Sequence, residues 1–446
     1  MARLQLRARP TGRARATGLS WPPQLVRGRP HRVHPERRRR SDLIIGVLLA
    51  AALLGTGVVL WRTSAVAGTT DRVAAAPITA PPPAAGVPTA FVQAWQAPSA
   101  ATSLPAVVGP AVVTADGERV SGRDAQTGIE AWSYTRDRPL CVVAGGFPAA
   151  DDRRGRVLAL YEGDTGFCSE LTALRPDTGA RVGARNSDVT PGTELVADDT
   201  FVVSTGERYL EVVRSDLVRT LEYGAVVAPA QPNRQPRAGC SYGSVALVAR
   251  RLGVIERCAG EQTDRLTVLT PDPEDAEKPE AEFSVLLPAA GATVVTLSED
   301  RVAVALPNPP RLQVFDSGGA EVAMVDLDVP EADLATDPPG GVAEVQVGPG
   351  DAGVYWWTGS RTIALDPSAL TPRWTLADTR GPALPYGGGL LVPIPSGLLV
   401  VDPNTGAGQR SIPVGRPDPA GSVRLGAAGR ILLEQRGPAV VALRPA

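Results

Sequence analysis

The sequence predicts an all-β chain: a β-propeller of eight four-stranded blades, with seven as the alternative count, preceded by one transmembrane helix. Three observations predict it. The 446 residues include 47 glycines and 43 prolines but only 4% aromatics, a balance that suits short strands and frequent turns. A strand–turn–strand string recurs at intervals averaging about 46 residues, the length of four strands with their turns. One uncharged apolar run, Leu43–Trp61, stands ahead of the first repeat.

The first forty residues hold twelve arginines and a single acid, Glu36, and the tail 1–42 reads as a disordered basic segment without apolar periodicity. The apolar run spans roughly 28 Å as a helix, close to a bilayer core. Arg37–Arg40 precede it and Trp61 ends it, so the positive-inside rule leaves the tail cytoplasmic and exports the rest. Cleavage after Ala65–Val66–Ala67, an A-x-A step, is the rival to an uncleaved signal-anchor. The length of the run and of the basic region favours the anchor. Residues 62–89 are Ala/Pro-rich, with Pro81–Pro83 in succession, and read as a semi-extended spacer. The remaining domain is 90–446. From Leu43 onward 45 acids face 33 bases.

The repeat is clearest at "RDAQTGIEAW" from Arg123. It returns at "LTALRPDTGARV" (Leu171–Val182) and "LLVVDPNTGAGQ" (Leu398–Gln409). In these strings Asp124, Thr127 and Gly128, then Asp177, Thr178 and Gly179, then Asp402, Thr405 and Gly406 read as turns. Asp and Thr side chains bond the backbone, and Gly takes the positive φ. Trp132 and Trp374 follow on the outer strands, where a ring packs against the next sheet. The fifth unit shows all four strands: "ATVVTLSED", "RVAVALPN", "RLQVFDSGG" and "EVAMVDLDV". The eighth stops at "AVVALRPA" without a fourth, while an orphan Trp-bearing strand, Ala90–Ser99, precedes the first unit. The N-terminal strand is expected to complete the last blade and close the ring.

On these turn strings the chain resembles the PQQ-like (quinoprotein-type) β-propeller repeat family, whose pattern, roughly "ALDAxTGxxxW", is best matched at Arg123–Trp132. The resemblance covers about Phe91 to Ala446. It implies a propeller fold and admits two activities: a PQQ-dependent dehydrogenase, or a non-enzymatic envelope propeller like the lipoprotein of the outer-membrane barrel-assembly machine. The dehydrogenases use a vicinal Cys–Cys disulfide, Glu/Asn/Asp calcium ligands, an Asp base and a Trp platform. None of these can be carried onto a position here.

Cys141, Cys168, Cys240 and Cys258 all lie in the part read as exported. Their order suggests two local disulfides, Cys141–Cys168 and Cys240–Cys258, among three possible connectivities. A metal site is the alternative, without C-x-x-C spacing to support it. Both histidines, His31 and His34, sit in the basic tail, which removes the commonest general base and metal ligand from the propeller. Calcium in the acidic turns is weaker than a turn Asp bonding its own backbone. Tyr355–Trp357 reads as blade packing before it reads as a ligand platform. The charged excursion Pro271–Glu282, which holds the chain's one lysine, Lys278, reads as a solvated loop. The near-absence of lysine points to a GC-rich, actinobacterial-type coding sequence.

The expected function is therefore a membrane-anchored, non-enzymatic binding or scaffold module of the cell envelope. It has no cofactor, no catalytic or metal residues and no nucleic-acid partner, and meets an envelope protein or peptide. A PQQ- or other small-ligand-binding propeller with a redox or sensory role is the alternative; an envelope carbohydrate binder is a third.

Overall fold

A computed structural model describes residues 40–446 except 63, 150–153, 228, 230, 232, 336–340, 348–352 and 419. The basic tail, with both histidines, lies outside the described residues up to position 39. The chain divides into two units, Met1–Arg62 and Thr63–Ala446. In the first, Arg40–Arg62 forms one helix, exposed along its whole length. It is long and apolar enough to cross a membrane.

The second unit is a propeller of eight antiparallel sheets, each built on four consecutive strands save the last. The innermost strands begin at Ala106, Leu140, Leu195, Ser241, Thr293, Glu344, Leu384 and Arg424, for blades 1 to 8 in turn. In blade 8, Arg424–Ala428, Ile431–Arg436 and Ala439–Pro445 are followed outward by Phe91–Pro98, running antiparallel to Ala439–Pro445. The N-terminal strand closes the ring, as the orphan strand implied. Continuous burial along the inner strands, as in Ala111–Asp116, Arg156–Glu162 and Arg301–Pro307, places both faces of each sheet in blade-to-blade cores, such as the cluster of Val113, Val120, Trp132, Tyr134, Val157 and Tyr161 between blades 1 and 2.

Because each blade is a meander, its connections alternate between two ends. One face carries the turns joining first to second and third to fourth strands. The other carries the links from second to third strand and from blade to blade; we call this the loop face.

The Ala/Pro-rich segment is not a free spacer. Thr69–Arg72 pairs with Glu130–Arg136 as a fifth strand on blade 1. Ala74 and Ile78 then donate their N–H groups to Thr178 and Asp177 carbonyls in the turn of blade 2, each at 2.9 Å. Pro82 accepts from the Arg430 N–H of blade 8 at 2.9 Å, and Val87 accepts from the Arg410 guanidinium of blade 7 at 2.7 Å. This strap crosses the turn face from blade 2 past blade 1 to blades 8 and 7. Proline suits it because the fixed φ lowers the entropy cost of ordering and the missing N–H is not needed. The excursion Pro271–Glu282 likewise folds back. Ala276 accepts the Glu222 N–H at 2.9 Å and Pro271 the Thr220 hydroxyl at 2.7 Å, so it covers the outer edge of blade 3.

Six of the eight blade seams follow a complementary size rule. Trp95, on the outer strand of blade 8, lies over Gly128 in the turn of blade 1; Trp132 lies over Gly179 of blade 2, and Trp374 over Gly406 of blade 7. Phe283 of blade 4 lies over Gly319 of blade 5 in the same way. Where the turn carries leucine in the left-handed region instead, Leu217 (φ 62°) and Leu370 (φ 55°), the facing outer-strand residue is small. Gly183 faces Leu217, at 3.2 Å from an ideal Cβ. Ala323 holds the strand position of Trp374 and packs in the cluster that contains Leu370. Volume is conserved across the seam while its owner switches.

Two outcomes follow. A propeller starting at Ala90 will melt well below one starting at Ser64 in differential scanning calorimetry, because it lacks the strap but keeps the closing strand. Leu370→Gly alone will destabilise by about 2–4 kcal/mol as a large-to-small core change. Adding Ala323→Trp will recover part of that loss in a double-mutant cycle read by urea unfolding, whereas Ala323→Trp alone will overpack and destabilise.

Candidate functional site

The turn residues singled out in the sequence occupy the blade seams and do not converge on one site. In blade 1 the Asp124 carboxylate accepts from the Gln126 and Thr127 N–H groups and the Thr127 hydroxyl, at 3.1, 2.8 and 2.8 Å. Asp402 repeats this with Asn404 and Thr405 at 2.9, 3.0 and 3.2 Å. Those backbone donors hold its carboxyl below the usual range. Gly128, Gly179 and Gly406, with φ of 72°, 77° and 71°, each return an N–H to the first residue of the turn at 2.8–2.9 Å. The indole N–H of each docked ring donates to a turn carbonyl: Trp95 to Ala125 (2.9 Å), Trp132 to Pro176 (2.8 Å) and Trp374 to Pro403 (3.0 Å).

Asp177 departs from the role the repeat assigned it. Arg175 holds the position of Asp124 and Asp402, and Asp177 stands two residues later, where Gln126 and Asn404 stand in the other turns. Its carboxylate, 4% exposed, is paired with Arg154 at 2.9 Å and Arg175 at 3.3 Å. Thr178 and Gly179 keep their places.

Both disulfides form the local pairs, Cys141–Cys168 with Cα atoms 6.1 Å apart and Cys240–Cys258 at 4.2 Å. Each ties the start of an innermost strand to the strand ends bordering the link from second to third strand, so both lie at the loop face. That face also carries the long connections between blades, which leave at Gly224, Asp326 and Pro413 and return at Ser241, Glu344 and Arg424. Tyr355 and Trp356 are buried in the cores on opposite sides of their blade, Tyr355 with its ring 6.0 Å from that of Trp374. Two of the three aromatics in the run, Tyr355 and Trp356, are therefore blade packing.

A polar constellation that sequence reasoning missed sits at the loop-face mouth of the central channel. Arg424, first residue of the innermost strand of blade 8, pairs with Glu344, first residue of that of blade 6. Glu194, just ahead of the innermost strand of blade 3, takes a hydrogen bond from Ser103 and lies within the electrostatic reach of Arg424. Burial pushes the Glu194 carboxyl up, and Ser103 and Arg424 only partly offset it. The second Glu344 oxygen is buried without a partner. No sequence signal could have joined these residues, because each comes from a different repeat and only ring closure brings them together. Two further buried carboxylates are structural. Glu434 is held by Arg416 at 2.8 Å and by Arg436 at 2.6 Å. Glu256 is held by Arg237 at 3.2 Å, by the Thr267 hydroxyl at 2.6 Å and by Tyr223. Among the described residues no group of three or more His, Cys, Asp or Glu side chains could hold a metal ion.

No protein-family model matches the chain, and no curated protein is significantly similar in sequence. Among solved structures it is similar to the computationally designed Ika8 protein, at 12% identity and a TM-score of 0.49, covering 83% of this chain and 100% of that one. It is similar to the dihydro-heme d1 dehydrogenase NirN, solved in complex with DHE, at 11% identity and 0.44, covering 74% of this chain and 67% of that one. It is similar also to BBS1N, solved in complex with ARL6DN, at 14% identity and 0.42, covering 81% and 98%. The propeller assignment rests on the strand topology of the chain itself.

Glu194 supplies a pH test. Its folded-state pKa lies above the ordinary value of 4.5, so its contribution to stability is fully present below that value and is lost as pH rises through the folded one. Glu194→Gln, neutral at every pH, will therefore raise the melting temperature at pH 7, and the gain over wild type will vanish near pH 4.

Proposed function

We propose that this chain is a membrane-anchored, extracytoplasmic propeller that binds an envelope protein or peptide without catalysing a reaction. Arg40–Arg62 is its anchor, the arginine-rich side stays cytoplasmic and the propeller is exported. Cysteines paired in two disulfides accord with an oxidising compartment. The observation that carries the binding reading is the asymmetry of the two faces. Over blades 7, 8, 1 and 2 the turn face is occupied by the chain's own strap, while the loop face presents the long inter-blade connections on a ring tied there by both disulfides. Rigidly mounted loops are where binding residues usually reside. The docked-tryptophan turns support kinship with PQQ-like repeats at the level of fold, and the sequence lacks the Cys-Cys pair on which the chemistry of that family would draw.

A small-ligand reading has one observation in its favour, the convergence of Arg424, Glu344, Glu194 and Ser103 at the channel mouth. A single set of measurements separates the two. A photo-crosslinker placed at Thr165 or Glu207 on the loop face will capture a reproducible envelope protein in living cells, and one at Asn404 on the turn face will not. Equal capture from both faces, or none from either, overturns the scaffold reading. Saturable binding of PQQ with calcium to the purified propeller, with dye-linked turnover, would establish the alternative.

A further inference from the structure

The segment between the helix and the first propeller strand has properties of its own. Ala65, Val66 and Ala67 are exposed and lie in a tight turn. The Ala67 and Gly68 N–H groups donate to the Ser64 carbonyl at 3.1 and 3.2 Å, and the Thr69 hydroxyl caps the Ala65 carbonyl at 2.5 Å. Small residues at the first and third positions before a bond, downstream of an apolar helix, are what an envelope signal-type peptidase accepts. The propeller's own hold on the chain begins just beyond that bond. The Gly68 carbonyl accepts the Asp137 N–H at 2.9 Å, and Thr69 opens the strand on blade 1.

At Gly68 the structure is shaped around a residue without a side chain. A Cβ there would collide with both carboxylate oxygens and Cγ of Asp137, so this carboxylate lies directly against the Gly68 Cα, one bond from its nitrogen. Asp137 has little else to pair with: its contact to Arg138 Nε is 3.9 Å and its side chain is 62% exposed.

We propose that the Ala67–Gly68 bond is a processing site, cut by a peptidase with small-residue subsites, and that Asp137 receives the α-ammonium the cut creates. Hydrolysis adds water across the amide. The water oxygen bonds to the Ala67 carbonyl carbon, which becomes a carboxylate, the C–N bond breaks, and Gly68 leaves as an amine that is largely protonated near neutral pH. The cut removes the membrane helix and spares the strap and the closing strand. Anchored and released propellers thus share one fold, and the released form gains an ion pair that the intact chain cannot make. The inference goes beyond the binding function and adds a second location for the same propeller.

The test uses the full chain expressed in an exporting bacterial host. Amino-terminal sequencing of propeller recovered from the medium is expected to begin at Gly68. Ala67→Arg is expected to abolish the soluble form and leave the whole chain, with its disulfides intact, in the membrane fraction. A wild-type chain found only in membranes, a soluble chain with another first residue, or release unchanged by Ala67→Arg overturns the processing site. Asp137→Asn is then compared in the two forms. It is expected to lower the melting temperature of the released propeller and not that of the uncut Ala67→Arg chain in detergent. Equal shifts in both, or no shift in the released form, overturn the receiving role of Asp137.

Discussion

Everything in this molecule depends on the pairing of Phe91–Pro98 with Ala439–Pro445. A propeller written as a linear meander ends with an open seam, and an inner strand left at the edge would expose a row of unpaired N–H and C=O groups. The pairing closes that seam with residues almost 350 positions apart in sequence. Loop-closure entropy grows only slowly with such a distance, so the cost is modest beside the ladder and side-chain burial gained. It also gives the N-terminal region a structural duty at both of its ends. Residues 69–72 hold blade 1, residues 91–98 complete blade 8, and the strap between them spans the same seam over the turn face. Trp95 adds a third tie, with its indole on Gly128 and its N–H on the Ala125 carbonyl across the seam.

Five of the other seams are closed by volume. A turn glycine at positive φ makes room for a ring from the preceding blade, and the ring's N–H consumes a turn carbonyl that the hairpin leaves free. Where leucine replaces that glycine, its own side chain fills the space and the outer strand retreats to Gly183 or Ala323. Leucine in the left-handed region is unfavourable, and it persists here because 0% exposure of Leu370 and 6% of Leu217 returns more than the backbone costs. The degenerate repeats are thus the same device with the large and small partners exchanged.

This explains what could be seen in the sequence. The Asp124 and Asp402 turns and their glycines were legible because the bonds of the carboxylate and of the glycine N–H lie within five consecutive residues. The blade count was legible because strand spacing survives even where the turn motif fades. The turns that hold Leu217 and Leu370 are legible only as weaker versions of the string, since neither residue signals a positive φ. Asp177 was misassigned because an Asp beside Thr-Gly looks right in a string, while the hydrogen-bonding position two residues earlier holds arginine. The strap was read as a spacer because Ala and Pro carry no amphipathic period. Its hold comes from backbone carbonyls and from Ile78, buried at 8% exposure. The channel mouth was wholly illegible: Ser103, Glu194, Glu344 and Arg424 have no mutual spacing, and their meeting is a product of closure.

That last group shows how the fold limits its own chemistry. The channel is the natural place for a ligand in a ring of this size, and polar side chains do converge there. Yet Arg424 turns inward to meet Glu344 and also counters the charge of Glu194. An arginine already paired with Glu344 leaves one oxygen of that carboxylate without a partner, and a ligand entering the mouth must compete with an ion pair that is still a quarter exposed. A partner that lays itself across the loop face meets no such cost. The strap imposes the complementary restriction on the opposite face over blades 7, 8, 1 and 2, where a partner would have to compete with hydrogen bonds already made. The ion pair at the channel mouth and the strap over blades 7, 8, 1 and 2 thus leave uncovered the loop face around the mouth and the turn face of blades 3 to 6.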